Sequence, residues 1–202
     1  MITSISDLLP ILTPDVPGCP ENRLLQVLKQ SMRETVRFVE TWTIKLDPIS
    51  LVANESDYGL DAGEDIEIVR ILSATLNGGL IDPKTYSLVG LDEAPWAALR
   101  FNDANTPKSA QTDALVVTIV AVPDVNADTL PPFELTKCYP AIVALSASKL
   151  LAEAGRRWFD PNRSVFMRRQ YWRYISDLCY QRDTGRLGVS PTAVGESFIS
   201  ER

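Results

Sequence analysis

Apolar residues recur along this chain with two different periods, and the switch between them predicts where helices give way to strands. From Glu21 the spacing is three and four, the period of an amphipathic helix, and Pro20 suits the start of such a helix. The predicted apolar stripe is Leu24, Leu28, Met32 or Ser31, Thr35 and Val39. After Thr41, apolar and polar residues alternate over residues 42–46, which is the period of a strand.

The middle of the chain, from about 41 to 131, is a succession of predicted strands. The shorter ones are residues 66–72, 86–89 and 96–101. Asn77, Gly78 and Gly79 predict a tight hairpin, because asparagine and glycine readily take the positive φ that such a turn needs. Residues 114–122 are apolar and rich in β-branched side chains, which favours a central position in a sheet.

Two further helices are predicted after the strands. Residues 139–157 are apolar and rich in alanine and serine, and such small side chains let a neighbouring helix approach closely. Asp160 is a suitable N-cap and Pro161 a suitable first residue for the last helix, residues 162–181. The apolar face predicted for that helix is Val165, Trp172, Ile175 and Cys179, with Leu178 beside it.

This order of elements predicts an α+β fold: a helical bundle with an inserted β-rich wing and a flexible C-terminal arm. Residues 1–40 and 132–182 form the predicted bundle, and residues 41–131 form the predicted wing. Residues 183–202 are mostly polar and are interrupted by glycine and proline, which predicts an extended arm without regular structure.

The composition argues against most enzyme classes. The chain has no histidine, which removes the usual general base at neutral pH and the commonest metal ligand. Cys19, Cys138 and Cys179 are too widely spaced to form a metal-binding pair, and the acidic stretch 57–67 lacks the spacing of a calcium loop. The sequence also lacks a phosphate-binding loop and a nucleophile motif. We therefore expect a protein that is not an enzyme, with no catalytic residue, no cofactor and no metal.

Basic and aromatic residues gather in the last helix and its approach, although the whole chain carries a net charge of −6. The residues are Arg156, Arg157, Arg163, Arg168, Arg169, Tyr171, Trp172, Arg173, Tyr174, Tyr180 and Arg182. Three interpretations remain open: a solvated helix face, a surface for a partner protein, or a surface for DNA phosphates. The net negative charge of the chain argues against a protein that coats nucleic acid without sequence specificity. We predict that Arg168, Arg169 and Arg173 bind a partner.

The C-terminal segment contains apolar residues that a purely solvated tail does not need. They are Leu187, Val189, Val194, Phe198 and Ile199. These residues favour an arm that docks in a groove or on a sheet edge of another subunit and becomes ordered there. An inert chain end is the alternative. The sequence contains no apolar run long enough to cross a membrane and no signal peptide, so we expect synthesis in a cytosol without membrane attachment.

Several segments, in their order along residues 16–182, are similar to the head-to-tail connector proteins of tailed bacteriophages, also called adaptor or head-completion proteins. The order carries the resemblance, since each segment alone is weak. The segments are 16–20 with Leu24 and Leu28, 41–43, 69–72, 83–86, 115–117 with Pro123, 130–132, the alanine-rich helix, and 158–161 with the basic aromatic helix.

The resemblance implies a structural virion protein of the neck. It implies a homo-oligomeric ring, commonly a dodecamer, that binds beneath the portal protein and joins it to a downstream neck or tail protein. Genomic DNA would pass through the lumen, and the chain would be made in the host cytoplasm. Arg168, Arg169, Arg173 and the apolar arm residues would then contact the portal or a neighbouring subunit. The alternatives are another neck or tail-completion ring protein, of the tail-terminator kind, and, less favoured, a DNA-binding module.

Overall fold

The computed structural model describes residues 4–63, 65–90, 97–124, 127 and 132–184. Both helices and antiparallel sheets are present, so the predicted α+β class is confirmed. In this part of the chain the α-helices are α1 (Leu9–Leu12), α2 (Glu21–Val39), α3 (Pro132–Leu151) and α4 (Pro161–Asp183). The strands are β1 (Thr43–Lys45), β2 (Ile49–Leu51), β3 (Asp57–Leu60), β4 (Ile66–Leu76), β5 (Gly79–Leu80), β6 (Tyr86–Gly90), β7 (Ala97–Phe101) and β8 (Gln111–Pro123).

Helix α2 buries the stripe that its periodicity predicts. The helix begins after Pro20 and ends at Glu40, whose left-handed backbone (φ 53°) stops further helical bonding while its N–H still donates to the Val36 carbonyl. The buried residues are Leu24, Val27, Leu28, Ser31, Met32, Thr35, Val36 and Val39. This face packs against α3, so the sequence pattern and the tertiary contact agree.

Helix α3 is buried over most of its length between Cys138 and Leu151. Its small side chains allow α2 and α4 to pack closely on it, as predicted. The predicted bounds of 139–157 were wrong at both ends. The helix includes Pro132, and it ends at Leu151 because the chain then turns through Gly155, which has a positive φ of 78°.

Helix α4 begins as predicted but buries a different face. Asp160 caps the helix by accepting a hydrogen bond from the Arg163 N–H at 3.0 Å, and Pro161 follows it. The residues buried along α4 are Ser164, Tyr171, Ile175 and Leu178. The prediction was wrong for Val165 and Trp172, which are 52% and 45% exposed. The contact with α3 therefore selects a face rotated from the one that the apolar residues suggested.

The strands form two antiparallel sheets. The larger has the order β1-β8-β4-β5, and β2 also pairs with β8; the smaller has the order β3-β7-β6. Strand β8 is central in the larger sheet, as its composition predicted. The β4–β5 hairpin turns at Asn77 (φ 50°) and Gly78 (φ 81°), which confirms the predicted tight turn. Sequence reasoning missed β2 and β3, because both are short and gain their hydrogen bonds from β8 and β7.

Two groups of buried side chains organise the structure. One unites the three long helices with the N-terminal turns and with Val122 at the end of β8, and the other lies between the two sheets. Ion pairs also connect the helices to the larger sheet. Glu67 of β4 pairs with Arg33 and Arg37 of α2, and Arg70 of β4 pairs with Glu40 at 2.6 Å. The division into a bundle (1–40 and 132–182) and a wing (41–131) stays a prediction. The predicted arm begins later than residue 183, since Asp183 ends α4.

Candidate interaction surface

The three arginines predicted to bind a partner all lie on the solvent side of α4. Arg168, Arg169 and Arg173 are exposed, and none forms an ion pair with a carboxylate in the described part of the chain. Other arginines of the same helix are already paired. Arg163 lies 2.6 Å from Asp15, and Arg182 donates to Asp183 and to a backbone carbonyl of α2. The predicted residues are therefore the ones left with unneutralised charge.

Aromatic side chains share this exposed side of α4. Phe166, Arg169 and Arg173 are spaced three and four residues apart, so they project from one side of the helix, opposite the buried Tyr171 and Ile175. Phe166 is 56% exposed. We call the exposed side formed by Phe166, Arg168, Arg169, Trp172 and Arg173 the α4 face. A mixture of arginine and exposed aromatic residues is typical of protein interfaces.

A shallow cavity of ≈ 380 Å³ borders the α4 face on the side of α2. Phe38 of α2 and Trp172 of α4 meet there edge to face, with ring centroids 5.5 Å apart. Both rings are about half exposed, at 52% and 45%. Arg37, Arg168 and Glu34 lie at the same cavity, so its rim carries charges of both signs and its walls are largely aromatic.

A second cavity, of ≈ 430 Å³, lies between α4 and the helices α1 and α3. Its exposed apolar side chains are Ile11, Phe166 and Tyr174, which are 42%, 56% and 37% exposed. The two cavities thus flank α4 on both sides. Sequence reasoning missed the contributions of Phe38 and Ile11. A usable signal for Phe38 was present, because it is a large apolar residue that lies off the buried stripe of α2.

Three titratable side chains with shifted pKa values pack in or against the helical core. Burial raises the pKa of the Tyr171 hydroxyl, which keeps it neutral at physiological pH. Burial likewise raises the pKa of the Cys19 and Cys179 thiols, so both are poor nucleophiles. Among the described residues, no group of three metal-ligating side chains is placed to hold an ion.

Three carboxylates of the acidic stretch 57–67 make contacts within the protein. Arg100 donates two hydrogen bonds to Asp57, at 2.6 and 2.7 Å, and holds the pKa of that carboxyl below its usual range. Asp61 accepts the Gly63 N–H at 2.9 Å, and Glu67 pairs with the two α2 arginines. These carboxylates stabilise turns and the contact between sheet and helix.

The five apolar arm residues, Leu187, Val189, Val194, Phe198 and Ile199, lie outside the described residues. Their docking role and that of Arg168, Arg169 and Arg173 stay predictions. No protein-family model matches the chain, and no curated protein does. None of the helices in the described ranges is long and apolar enough to cross a membrane.

Proposed function

We propose that the protein is a structural virion subunit that forms a ring, of twelve copies in the favoured form, between the capsid portal and the tail of a bacteriophage. DNA passes through the lumen of this ring. The α4 face and the C-terminal arm contact the portal or a neighbouring subunit. The proposal makes the protein an assembly component of the neck that needs no cofactor.

The observation that carries this proposal is the α4 face itself. It combines aromatic rings that are about half exposed with three exposed arginines that form no ion pair to any described residue. Leaving such side chains in water stabilises no part of the isolated subunit, whereas burying them against a partner removes apolar area from water and neutralises charge. The order of segments that resembles the head-to-tail connectors supports this kind of assembly.

The direct experiment measures the light-scattering mass of the full chain alone and mixed with the portal protein encoded beside it. A complex of ring size with the portal is the expected result. If the protein forms a ring but ignores the portal, the function moves to a more distal neck or tail-completion ring. If the mass remains that of one subunit in both samples, the ring proposal is wrong.

A competing use of the same arginines is binding to DNA phosphates, and salt dependence separates the two. A basic surface that binds duplex DNA loses affinity steeply as salt increases, because bound counterions are released on binding. We expect no measurable binding to duplex DNA at about physiological salt, where the net charge of −6 opposes it. Tight, salt-sensitive binding that Arg169→Ala and Arg173→Ala abolish would favour the DNA-binding module.

A further inference from the structure

The charges of this chain are divided between its parts. Residues 41–131 contain 14 Asp and Glu against 5 Lys and Arg, a net charge of −9. Residues 132–182 contain 4 acidic residues against 9 basic residues, a net charge of +5. The chain therefore carries its acidic and its basic excess in different segments, and charges of opposite sign on different parts of a molecule favour attraction between copies of the same chain.

Exposed carboxylates lie at one edge of the larger sheet. Strands β1 and β2 both pair with β8 on one side, and no other strand pairs with them in the ranges that the structure describes. Asp47 and Glu55 flank β2, and both are exposed without an ion pair to any described residue. We call residues 45–55 the β1–β2 edge. It also contains the exposed Lys45, so its net charge is −1.

The β1–β2 edge also offers apolar area and a fixed shape. Val52 is 52% exposed between the two carboxylates. The Tyr58 hydroxyl oxygen lies 3.0 and 3.1 Å from the Val52 and Glu55 carbonyl oxygens, so its one proton is shared between them and holds the turn after β2. Ser50 fixes the exposed Asp113 beside it through a 3.1 Å hydrogen bond. The edge thus matches the α4 face in kind, with carboxylates where that face has arginines and an aliphatic side chain where it has rings.

From these features we infer that the α4 face of one subunit binds the β1–β2 edge of the next, and that this contact closes the ring. Within one subunit α4 packs against α2 and α3, while β1 and β2 belong to the sheet. The two surfaces are therefore different patches of one molecule. A contact between different patches repeats from copy to copy, and it forms a ring when the rotation between successive copies closes and an open filament when it does not. This inference rests on the proposed ring, and it assigns the arginines to the neighbouring subunit and not to the portal.

The experiment exchanges the charges of the two surfaces. One full-length variant carries Arg169→Glu and Arg173→Glu, and the other carries Asp47→Lys and Glu55→Lys. Each alone places like charges in every contact, so its dissociation constant for self-assembly should increase about tenfold or more. Mixed in equal amounts, the two variants restore opposite charges at every contact between unlike subunits, and ring-sized particles should return.

Two control variants change the same charges elsewhere. Arg157→Glu alters an exposed arginine before α4, and Asp103→Lys alters an exposed carboxylate that is not one of residues 45–55. Both should assemble like the unmodified chain. Circular dichroism of all variants should also match it, and so should unfolding midpoints measured at a concentration where every chain is a single subunit, because the substituted side chains are exposed.

Four outcomes are distinguishable by light-scattering mass. Loss of assembly in each charge variant with recovery in the mixture supports the inference. Normal assembly of either variant overturns it and leaves the ring intact, and loss without recovery in the mixture overturns the pairing of these two surfaces. If the unmodified chain remains a single subunit alone and with portal, the proposed function fails and the inference fails with it.

Discussion

The orientation of α4 about its own axis, which decides which residues it buries, gives the sharpest test of the fold. The apolar residues of this helix assign Val165 and Ile175 to one face, whereas the structure buries Ile175 to 3% exposure and leaves Val165 52% exposed. We predict that Ile175→Ala lowers the free energy of unfolding substantially and that Val165→Ala barely changes it. The pair is matched, because both changes truncate a β-branched residue to alanine in the same helix.

The magnitudes follow from the exposed fractions. Ile175→Ala removes three buried carbon atoms, worth about 2.4 kcal/mol in transfer, and the remaining cavity extends the loss to roughly 2–5 kcal/mol. Val165→Ala removes two carbon atoms that are already half in water, a loss of at most ~0.8 kcal/mol. The better helix propensity of alanine returns about 0.5 kcal/mol of this, so the net change is near zero.

Urea unfolding followed by circular dichroism measures both values. The two variants must be compared at one protein concentration, and the comparison must then be repeated at others. A ring that binds only folded subunits would make the apparent free energy of unfolding depend on protein concentration. Equal losses for the two variants, or a loss below about 1 kcal/mol for Ile175→Ala, would refute the orientation of α4 described above.

Three further predictions concern the sheets and their contact with the helices. Glu67→Gln removes both ion pairs to α2 and should cost about 0.5–1.5 kcal/mol, a loss that shrinks in about 1 M NaCl because salt screens partly exposed charges. Gly78→Val forces a β-branched residue to a φ of 81° and should cost about 1–3 kcal/mol in urea unfolding, whereas Gly90→Ala, with open space around it, should cost less. The pKa of Asp57 is lowered in the folded state, so its charged form stabilises the fold above the ordinary aspartate pKa, and this stabilisation is lost as pH falls through the lowered pKa. Arg100→Gln should therefore reduce the slope of the free energy of unfolding against pH on the acid side. An unchanged slope would contradict the pairing of Arg100 with Asp57.

The sequence predicted well the elements whose own periodicity carries the signal. The stripe of α2, the hairpin at Asn77 and Gly78, and the central strand β8 are all present. Each depends on local chemistry: a 3.6-residue repeat, a backbone that accepts positive φ, or a run of β-branched residues. The short strands β2 and β3 carry no such signal, because their hydrogen bonds come from residues distant in the chain.

For the candidate surface, the sequence by itself determined its composition. It located the arginines and aromatic residues in the last helix and showed that the chain is divided into acidic and basic parts. Only the tertiary structure decided which of these side chains remain exposed. Packing against α3 buries Tyr171 and exposes Trp172, and Asp15 neutralises Arg163 across 148 positions of sequence. The reason is physical: a helix with apolar residues on several sides can bury only one of them, and its neighbours in space determine which one.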